Sequence, residues 1–332
     1  MLSTSIRQRL AIGICTRQRH ALLRRLLESI WEQPAPEHYD VEIIVVDNND
    51  APLVAPEDFD HPAKFKLTVL HEAKPGLVNA RNRVLDAAIA MNADWLIGVD
   101  DDEWVSADWL DQFIIGIETL DTSIIVAAKQ IVYPKTTNRF IKRLRQEQLP
   151  AGADTTIFST ANFAMHKRVF APDHGPALRF HFAFNESGGE DFEFMLRAKH
   201  QYGFRAAKWP YAIVTEEFDG KRETFRYHVK RQLLNQVTRY HVLALHRTMG
   251  VRGSHLGNAK KIFLITNKFA IFGTAECMRG AALLIMGQPT AYEIVGSGLF
   301  KWARALAVFP YLFGKTVVAY GSTVNADRSD LR

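Results

Sequence analysis

The chain has 332 residues, of which 47% are hydrophobic and 23% are charged, and its formal net charge is +5. This composition is globular and excludes wholesale disorder, and the length predicts one elaborated α/β domain or a catalytic domain with an appendage. Two cysteines exclude a disulfide framework and a cysteine zinc cage. The first residues lack the pattern of a signal peptide, so we expect a cytoplasmic protein.

Strand-like and helix-like segments alternate through the first 130 residues. Short apolar runs are followed by stretches in which apolar residues recur every three or four positions, as on one face of a helix. This order predicts βαβ units and a mostly parallel sheet, that is, an α/β fold. The predicted elements are a strand at 10–15, a helix at 22–31, strands at 41–46 and 67–70, a helix at 77–91 and a strand at 95–99.

The middle of the chain has a less regular pattern. Residues 124–133 read as a strand, and the polar stretch at 134–156 predicts a loop long enough to act as a lid. A helix-like segment then runs from about residue 187 to Tyr202, and Gly203 is a natural stop for it.

Polar residues follow three of the predicted strands. Thr16 and Arg17 follow the first, residues 47–50 follow the second, and residues 100–103 follow the strand at 95–99. Ligands of open α/β sheets bind outside the carboxyl ends of the strands. We therefore expect these three groups to converge on one site.

The run Asp100-Asp101-Asp102-Glu103 places four potential negative charges directly after an apolar strand. Such a cluster is costly unless a cation or hydrogen-bond donors offset the repulsion, and its hard oxygen ligands suit Mg²⁺ or Mn²⁺. An acidic triplet taken alone is more often a solvated turn. Its place at a strand end favours a metal site.

Asp191 follows Gly188-Gly189-Glu190, at the predicted start of a helix. The carboxylate can be a simple helix cap or a general base that takes a proton in a group transfer. No dinucleotide-binding or P-loop glycine motif and no credible histidine zinc pair is present in the sequence, which argues against a nicotinamide dehydrogenase, a P-loop enzyme and a zinc hydrolase.

Taken together, the ordered segments resemble the family-2 glycosyltransferases with the GT-A fold, a Rossmann-like, mostly parallel sheet flanked by helices. Within that family the sequence is similar to bacterial exopolysaccharide glycosyltransferases of the succinoglycan type. The segments that carry the resemblance are residues 12–17, 43–49, 76–82, 100–103, 160–162 and 189–191.

The resemblance implies an inverting hexosyltransferase that uses a nucleotide-sugar, expected to be a UDP-sugar, and Mn²⁺ or Mg²⁺. Asp191 is then the catalytic base, and Asp100 and Asp102 form the D-x-D element, with Asp102 as the direct metal ligand. Glu216 stands near the position where many members carry a metal-binding histidine. The implied donor-binding residues are Thr16, Arg17, Asp47, Asn49, Arg81 and Asp100, and the implied acceptor-binding residues are Asn162, Glu190 and Arg222.

The second half of the chain is basic and then apolar. Residues 221–261 contain ten Lys or Arg and a single acid, Glu223, which fits a solvated helix face, or an anionic partner such as a phosphate or an anionic lipid. No aromatic platform for nucleic acid accompanies them. The apolar clusters beyond residue 261 are too short for spanning helices and predict either amphipathic helices on a membrane or ordinary packing.

From these features we predict a catalytic domain at residues 1–235 and a helical, membrane-associating extension at 236–332. Residues 1–130 of the catalytic domain would bind the nucleotide-sugar, and residues 131–235 the acceptor and the base. The expected acceptor is a lipid-linked, polyprenyl-diphosphate glycan or a polysaccharide, at the inner face of the cell membrane. Two other classes stay open: a non-catalytic regulator that binds nucleotide-sugar or polysaccharide with the same fold, and a nucleotidyltransferase.

Overall fold

The computed structural model describes residues 7–59, 64–136, 138–142, 149–155, 159–218, 220–251 and 258–314. The chain divides into two compact units. The first comprises residues 1–132, 146–185 and 190–217, and the second comprises 133–145, 186–189 and 218–332. The predicted domain boundary at 235 falls within a continuous helix, Phe225–Thr248, and the predicted division stays a prediction.

The first unit contains one eight-stranded sheet, with the strands in the order β3-β2-β1-β4-β7-β6-β8-β5. All strands except β7 and β5 run in one direction, so the predicted α/β fold with a mostly parallel sheet is confirmed. The strands are β1 Gln8–Thr16, β2 Tyr39–Asp47, β3 Lys66–His71, β4 Trp95–Asp100, β5 Glu103–Val105, β6 Ile124–Val132, β7 Asn162–His166 and β8 Ala206–Glu217.

The helices of the described residues are α1 His20–Trp31, α2 Leu77–Ala90, α3 Trp109–Thr119, α4 Arg139–Lys142, α5 Lys167–Phe170, α6 Glu190–His200, α7 Phe225–Thr248, α8 Asn258–Ile285, α9 Ala291–Leu306 and α10 Val308–Leu312.

Two apolar cores cover the two faces of the sheet. Alternate residues of a strand point to opposite faces, so Ile12 of β1 joins the core beneath α1 and α3, whereas Ala11 joins the core beneath α2, α5 and α6. The buried strands are rich in Val and Ile, as expected where helices cover both faces. This three-layer arrangement fixes the carboxyl ends of the parallel strands along one edge.

Most predicted elements are present, with ends that differ by a few residues. The predicted helix after the glycine pair is α6, and Gly203 after it has a φ of +74°. The sequence did not predict β5, α3 or β7. Part of the predicted lid, 137, 143–148 and 156, lies outside the described residues, and the described part contains α4.

The second unit consists mainly of helices. A small core joins α7, α8 and the start of α10 through Val237, Tyr240 and Ile262. Helices α8 and α9 pack closely because Gly280 faces Val295 and leaves no room for a Cβ atom. The predicted helical character of the C-terminal region is therefore confirmed over residues 258–314. Within the part of the chain that the structure describes, no helix combines the length and apolarity needed to cross a bilayer.

A close contact between β4 and β7 gives a test of the sheet. Gly98 lies directly opposite Phe163 in the antiparallel pair, and a Cβ atom on Gly98 would lie 2.0 Å from Cε1 of the buried Phe163 ring. We expect Gly98→Ala to lower the free energy of unfolding by about 1–3 kcal/mol, because overpacking forces the ring to move. Urea denaturation of the purified protein measures this change.

The double variant Gly98→Ala with Phe163→Leu is the control. The smaller leucine makes room for the new methyl group, so the two destabilisations should be less than additive. A loss below about 0.5 kcal/mol for Gly98→Ala would contradict the described contact.

Candidate active site

The polar ends of the central strands lie side by side, as the sequence predicted. Thr16 at the end of β1 is in register with Asp47 of β2, and Cys15 is in register with Asp100 of β4. The parallel pairing of β1 with both neighbours brings these residues to one edge of the sheet. This edge is the candidate active site.

Four consecutive acids turn the chain from β4 into β5. Asp100 and Asp102 are partly exposed, whereas Asp101 and Glu103 are buried. Burial raises the pKa of Asp101 to about 6 and raises the pKa of Glu103 well above its ordinary value. Buried and partly exposed acids therefore alternate through the turn between β4 and β5.

Each carboxylate predicted to bind the metal has a basic partner within the chain. Asp102 Oδ2 lies 3.2 Å from Arg19 Nη1, and Asp100 Oδ1 lies 3.5 Å from Arg81 Nη2. Glu216 forms an ion pair with Lys129. These three cations offset the repulsion that four adjacent acids would otherwise create.

Lys129 of β6 is a residue that sequence reasoning missed. Its Nζ lies 2.5 Å from Oε1 of Glu103 and also pairs with Glu216. Burial alone would lower the pKa of Lys129, but Glu103, and then Asp100 and Glu216, hold that pKa above its ordinary value. The ammonium group thus lies between the carboxylates of β5 and β8. The only signal in the sequence was a lysine, followed by Gln130, within a strand whose other residues are apolar.

Asp101 and Arg19 form a second link that the sequence did not indicate. Asp101 Oδ2 accepts a hydrogen bond from Thr16 Oγ1 at 2.8 Å, and its Oδ1 accepts one from Arg19 Nη1 at 2.9 Å. The predicted donor-binding residue Thr16 therefore contacts the acidic run directly. Arg19 is held in place by the buried Asp101 while it also contacts Asp102.

Arg81 connects the acidic run to the start of α6. Its guanidinium is largely buried and pairs with both Asp100 and Glu190, although Glu190 lies 109 residues further along the chain. Glu190 is buried, and its second oxygen, Oε2, has no hydrogen-bond partner within the described residues. One side chain thus brings together the two motifs that the sequence marked as metal-binding and catalytic.

Asp191 lies beside this ion pair at the amino end of α6. Its Oδ1 accepts a hydrogen bond from the backbone N–H of the next residue, Phe192, at 2.6 Å, and the side chain remains partly exposed. Burial, and then the neighbouring charge of Glu190, raises the pKa of Asp191 to about 7, although Arg81 lowers it. A carboxyl group with this pKa can accept a proton near neutral pH.

Asp47 is fully engaged in shaping the loop after β2. Its carboxylate accepts hydrogen bonds from both the backbone and side-chain nitrogens of Asn49, and from the backbone nitrogens of Leu53 and Val54. The side chain is buried. The buried Oδ1 of Asn49 has no hydrogen-bond partner within the described residues, so Asn49 has an acceptor atom to spare at this edge.

Three other predicted residues have different surroundings. Arg17 is exposed and pairs with the exposed Asp50 at 3.3 Å. Asn162 is buried, and its amide bonds to Trp109, Ala128 O and Ala212 O, which gives it a structural role within the sheet. Arg222, in the second unit, stacks over the Phe218 ring at 3.8 Å from its centroid.

Within the described ranges, no group of three or more His, Cys, Asp or Glu is arranged to hold a metal ion. The oxygen ligands of Asp100 and Asp102 nevertheless suit Mg²⁺ or Mn²⁺, which are commonly bound by one or two carboxylates together with substrate phosphates. Burial, followed by Glu216 and Asp100, raises the pKa of Asp102. The neighbouring carboxylates thus add negative charge around Asp102.

A family model and a curated relative both associate this chain with glycan synthesis. A family model described as glycosyl transferase family 2 matches residues 11–183. The succinoglycan biosynthesis protein ExoM of Rhizobium meliloti (strain 1021) is 29% identical over 272 residues, which cover 80% of this chain and 85% of that protein. The chain therefore has a relative in exopolysaccharide synthesis.

Two solved structures share the fold. The mannosyltransferase PcManGT of Pyrobaculum calidifontis, in complex with GDP-Man and Mn²⁺, is 17% identical with a TM-score of 0.55, over 92% of this chain and 88% of that one. GalNAc-T7 with UDP, GalNAc and Mn²⁺ is 16% identical with a TM-score of 0.50, over 64% of this chain and 43% of that longer one. Because the family model spans more than half of the chain, and the predicted GT-A-like fold is observed, the protein belongs to glycosyl transferase family 2.

Proposed function

We propose that this protein is an inverting hexosyltransferase that moves a sugar from a nucleotide-sugar to a hydroxyl group of a growing glycan. The observation that carries the proposal is the double ion pair of Arg81, with Asp100 on one side and Glu190 on the other. It holds the acidic run and the start of α6 together. A diphosphate-binding group and a proton acceptor at one site are the two parts that a single displacement needs.

Asp191 is the general base of this mechanism. Its carboxylate takes the proton from the acceptor hydroxyl as that oxygen forms a bond to the anomeric carbon of the sugar. The bond between the anomeric carbon and the diphosphate oxygen breaks, and its electron pair leaves with the nucleoside diphosphate. One displacement inverts the configuration at the anomeric carbon. The raised pKa of Asp191 supports this role, because a base works best with a pKa near the working pH.

Asp100 and Asp102 would hold Mn²⁺ or Mg²⁺, and Glu216 would approach it only after release from Lys129. When bound with the donor, the metal supplies positive charge to the leaving diphosphate. Arg19, anchored by Asp101, and Arg81 add two further cations at this edge. Thr16 fixes Asp101 in place, and Asn49 presents its free acceptor atom to the donor. A UDP-sugar is the proposed donor.

The proposed acceptor is a lipid-linked oligosaccharide, and the proposed place of action is the inner face of the cell membrane. The relative named for succinoglycan biosynthesis supports an acceptor of this class. Basic residues near the start of α7, such as Arg222 and Arg226, suit the diphosphate of a polyprenyl carrier. Arg222 thus stays an acceptor-binding candidate.

The base is tested by Asp191→Asn. We expect the rate of transfer to fall by about 10²-fold to 10⁴-fold, because the amide cannot accept the proton. Donor binding, measured by calorimetry with several UDP- and GDP-sugars and Mn²⁺, should remain within about twofold of the wild-type value because the substitution preserves the shape of the side chain.

Asp173→Asn is the matched control, since Asp173 is exposed and away from the acidic run in the sequence. It should keep full activity. A variant Asp191→Asn that keeps more than a tenth of the wild-type rate would refute the assignment. Donor binding by the wild-type protein without turnover, even with membrane lipid extract as acceptor, would favour the non-catalytic regulator.

The pH dependence of kcat/KM tests the environment of Asp191. The base must be ionised, so the rate should rise about tenfold per pH unit below pH 7 and level off above the pKa of about 7. Glu190→Gln removes a neighbouring negative charge that raises this pKa. In that variant, the pH at which kcat/KM rises should therefore be lower than in the wild type. An unchanged pH profile would show that Glu190 does not affect the pKa of the base.

The metal site is tested by Asp102→Asn. The Mn²⁺ concentration needed for half-maximal UDP binding should rise on the order of tenfold or more, because a site with few protein ligands loses one of them. Titration calorimetry measures this shift without any need for turnover. Asp111→Asn, an exposed carboxylate on α3, is the control and should leave the titration unchanged. Equal Mn²⁺ dependence in both variants would remove Asp102 from the metal site.

A further inference from the structure

Exposed apolar side chains are concentrated in the C-terminal helices. Fifteen of the 22 large hydrophobic residues that are exposed among the described residues lie between residues 258 and 314. Surface apolar residues scattered singly are normal, whereas a contiguous group marks a binding surface. The C-terminal helices therefore contain a surface that needs a partner.

Helix α8 carries the most regular part of this surface. Leu264, Ile271, Met278 and Ile285 are spaced seven residues apart and are 53% to 89% exposed. A seven-residue spacing returns to nearly the same side of a helix, so the four form one row about 32 Å long. We call these four residues the α8 apolar row.

The apolar row lies on the side of α8 that faces away from α9. The contacts of α8 with α9 are made through Gly273, Cys277 and Gly280, which by helical spacing lie on the opposite side from the row. The row is therefore left uncovered by the packing of α8 against α9.

Basic residues border the apolar row on one side. Lys268 and Arg279 are exposed, and Lys261 is partly exposed. By helical spacing the three fall along one edge of the row. Helix α8 contains one acid, Glu276, and its carboxylate is paired with Lys301 of α9 at 2.6 Å. The exposed charges at the edge of the row are thus all positive.

We propose that α8 lies flat on an anionic lipid surface, with the apolar row at the depth of the acyl chains and the basic edge among the headgroups. This geometry is that of an interfacial amphipathic helix. A second copy of the chain is a less suitable partner for the apolar row than a lipid surface. Two α8 helices packed row to row would bring their basic edges together, and the one acid of α8, Glu276, is already paired with Lys301. The inference deepens the proposed function, in that a lipid-linked acceptor lies at such a surface.

The test is flotation of the purified full-length protein with vesicles of phosphatidylcholine, with and without phosphatidylglycerol. We expect binding to the anionic vesicles that weakens with added salt. Ile271→Asp with Met278→Asp should reduce binding at least about tenfold, because two apolar side chains are lost from the interface. Lys268→Gln with Arg279→Gln should reduce binding to anionic vesicles by about fivefold for each charge removed.

Leu53→Asp with Ile115→Asp is the matched control. These side chains are exposed apolar residues of the first unit, so the variant has the same change in charge and should bind vesicles as the wild type does. Absence of wild-type binding to anionic vesicles, or equal binding by Ile271→Asp with Met278→Asp, would overturn the proposal. A dimer in analytical ultracentrifugation that the same two substitutions dissociate would assign the row to a second copy instead.

The flotation experiment contains no donor and no acceptor. Its outcome is therefore independent of glycosyl transfer. If the wild-type protein transferred sugar to a water-soluble acceptor but did not bind anionic vesicles, the docking surface alone would be overturned. If the wild-type protein bound the vesicles but catalysed no transfer, the docking surface would stand and the proposed function would be overturned.

Discussion

The acids at the carboxyl edge of the sheet can lie close together because the chain supplies its own cations among them. Arg19, Arg81 and Lys129 come from three separate segments, and each contacts two carboxylates. An uncompensated buried charge costs several kcal/mol, and removal of one partner of a buried pair costs about 3–5 kcal/mol. The positions of the acids thus depend on the packing of all three segments.

In the proposed function, these cations would also meet the anionic donor. Arg19 is partly exposed, whereas Arg81 and Lys129 are more deeply buried. Because Arg81 and Lys129 are each held by two carboxylates, little reorganisation would be needed if a diphosphate bound there, as we propose. The same side chains that stabilise the acids would therefore also stabilise a bound diphosphate.

Much of the first unit could be predicted from the sequence, because apolar periodicity and strand ends are local signals. The positions of Asp100, Asp102 and Asp191 followed from those signals and from the family resemblance. The partners of Arg81 and Lys129 could not be predicted, since they depend on strand order and on contacts across long stretches of chain. The three-residue strand β5 is too short to give a periodic signal.

Residue type alone also could not separate binding residues from structural ones. Asp47 and Asn162 occupy motif positions, yet their polar atoms bond within the first unit. The same carboxylate and amide groups suit a ligand and a buried backbone equally well. Only the neighbours of a side chain in the folded structure show whether it is available to bind a ligand or is used to satisfy buried backbone groups.

Asp101, the middle aspartate of residues 100–102, restricts which substitutions this part of the chain can accept during evolution. Asp101 is tied to Thr16 and Arg19 rather than to solvent. Loss of Asp101 would remove one of the two acids that Arg19 contacts, and loss of Arg19 would remove the positive charge beside the buried Asp101 carboxylate. In related sequences, an acid at position 101 and a base at position 19 should therefore be gained and lost together, and the pair can serve as an evolutionary marker of this arrangement of the donor edge.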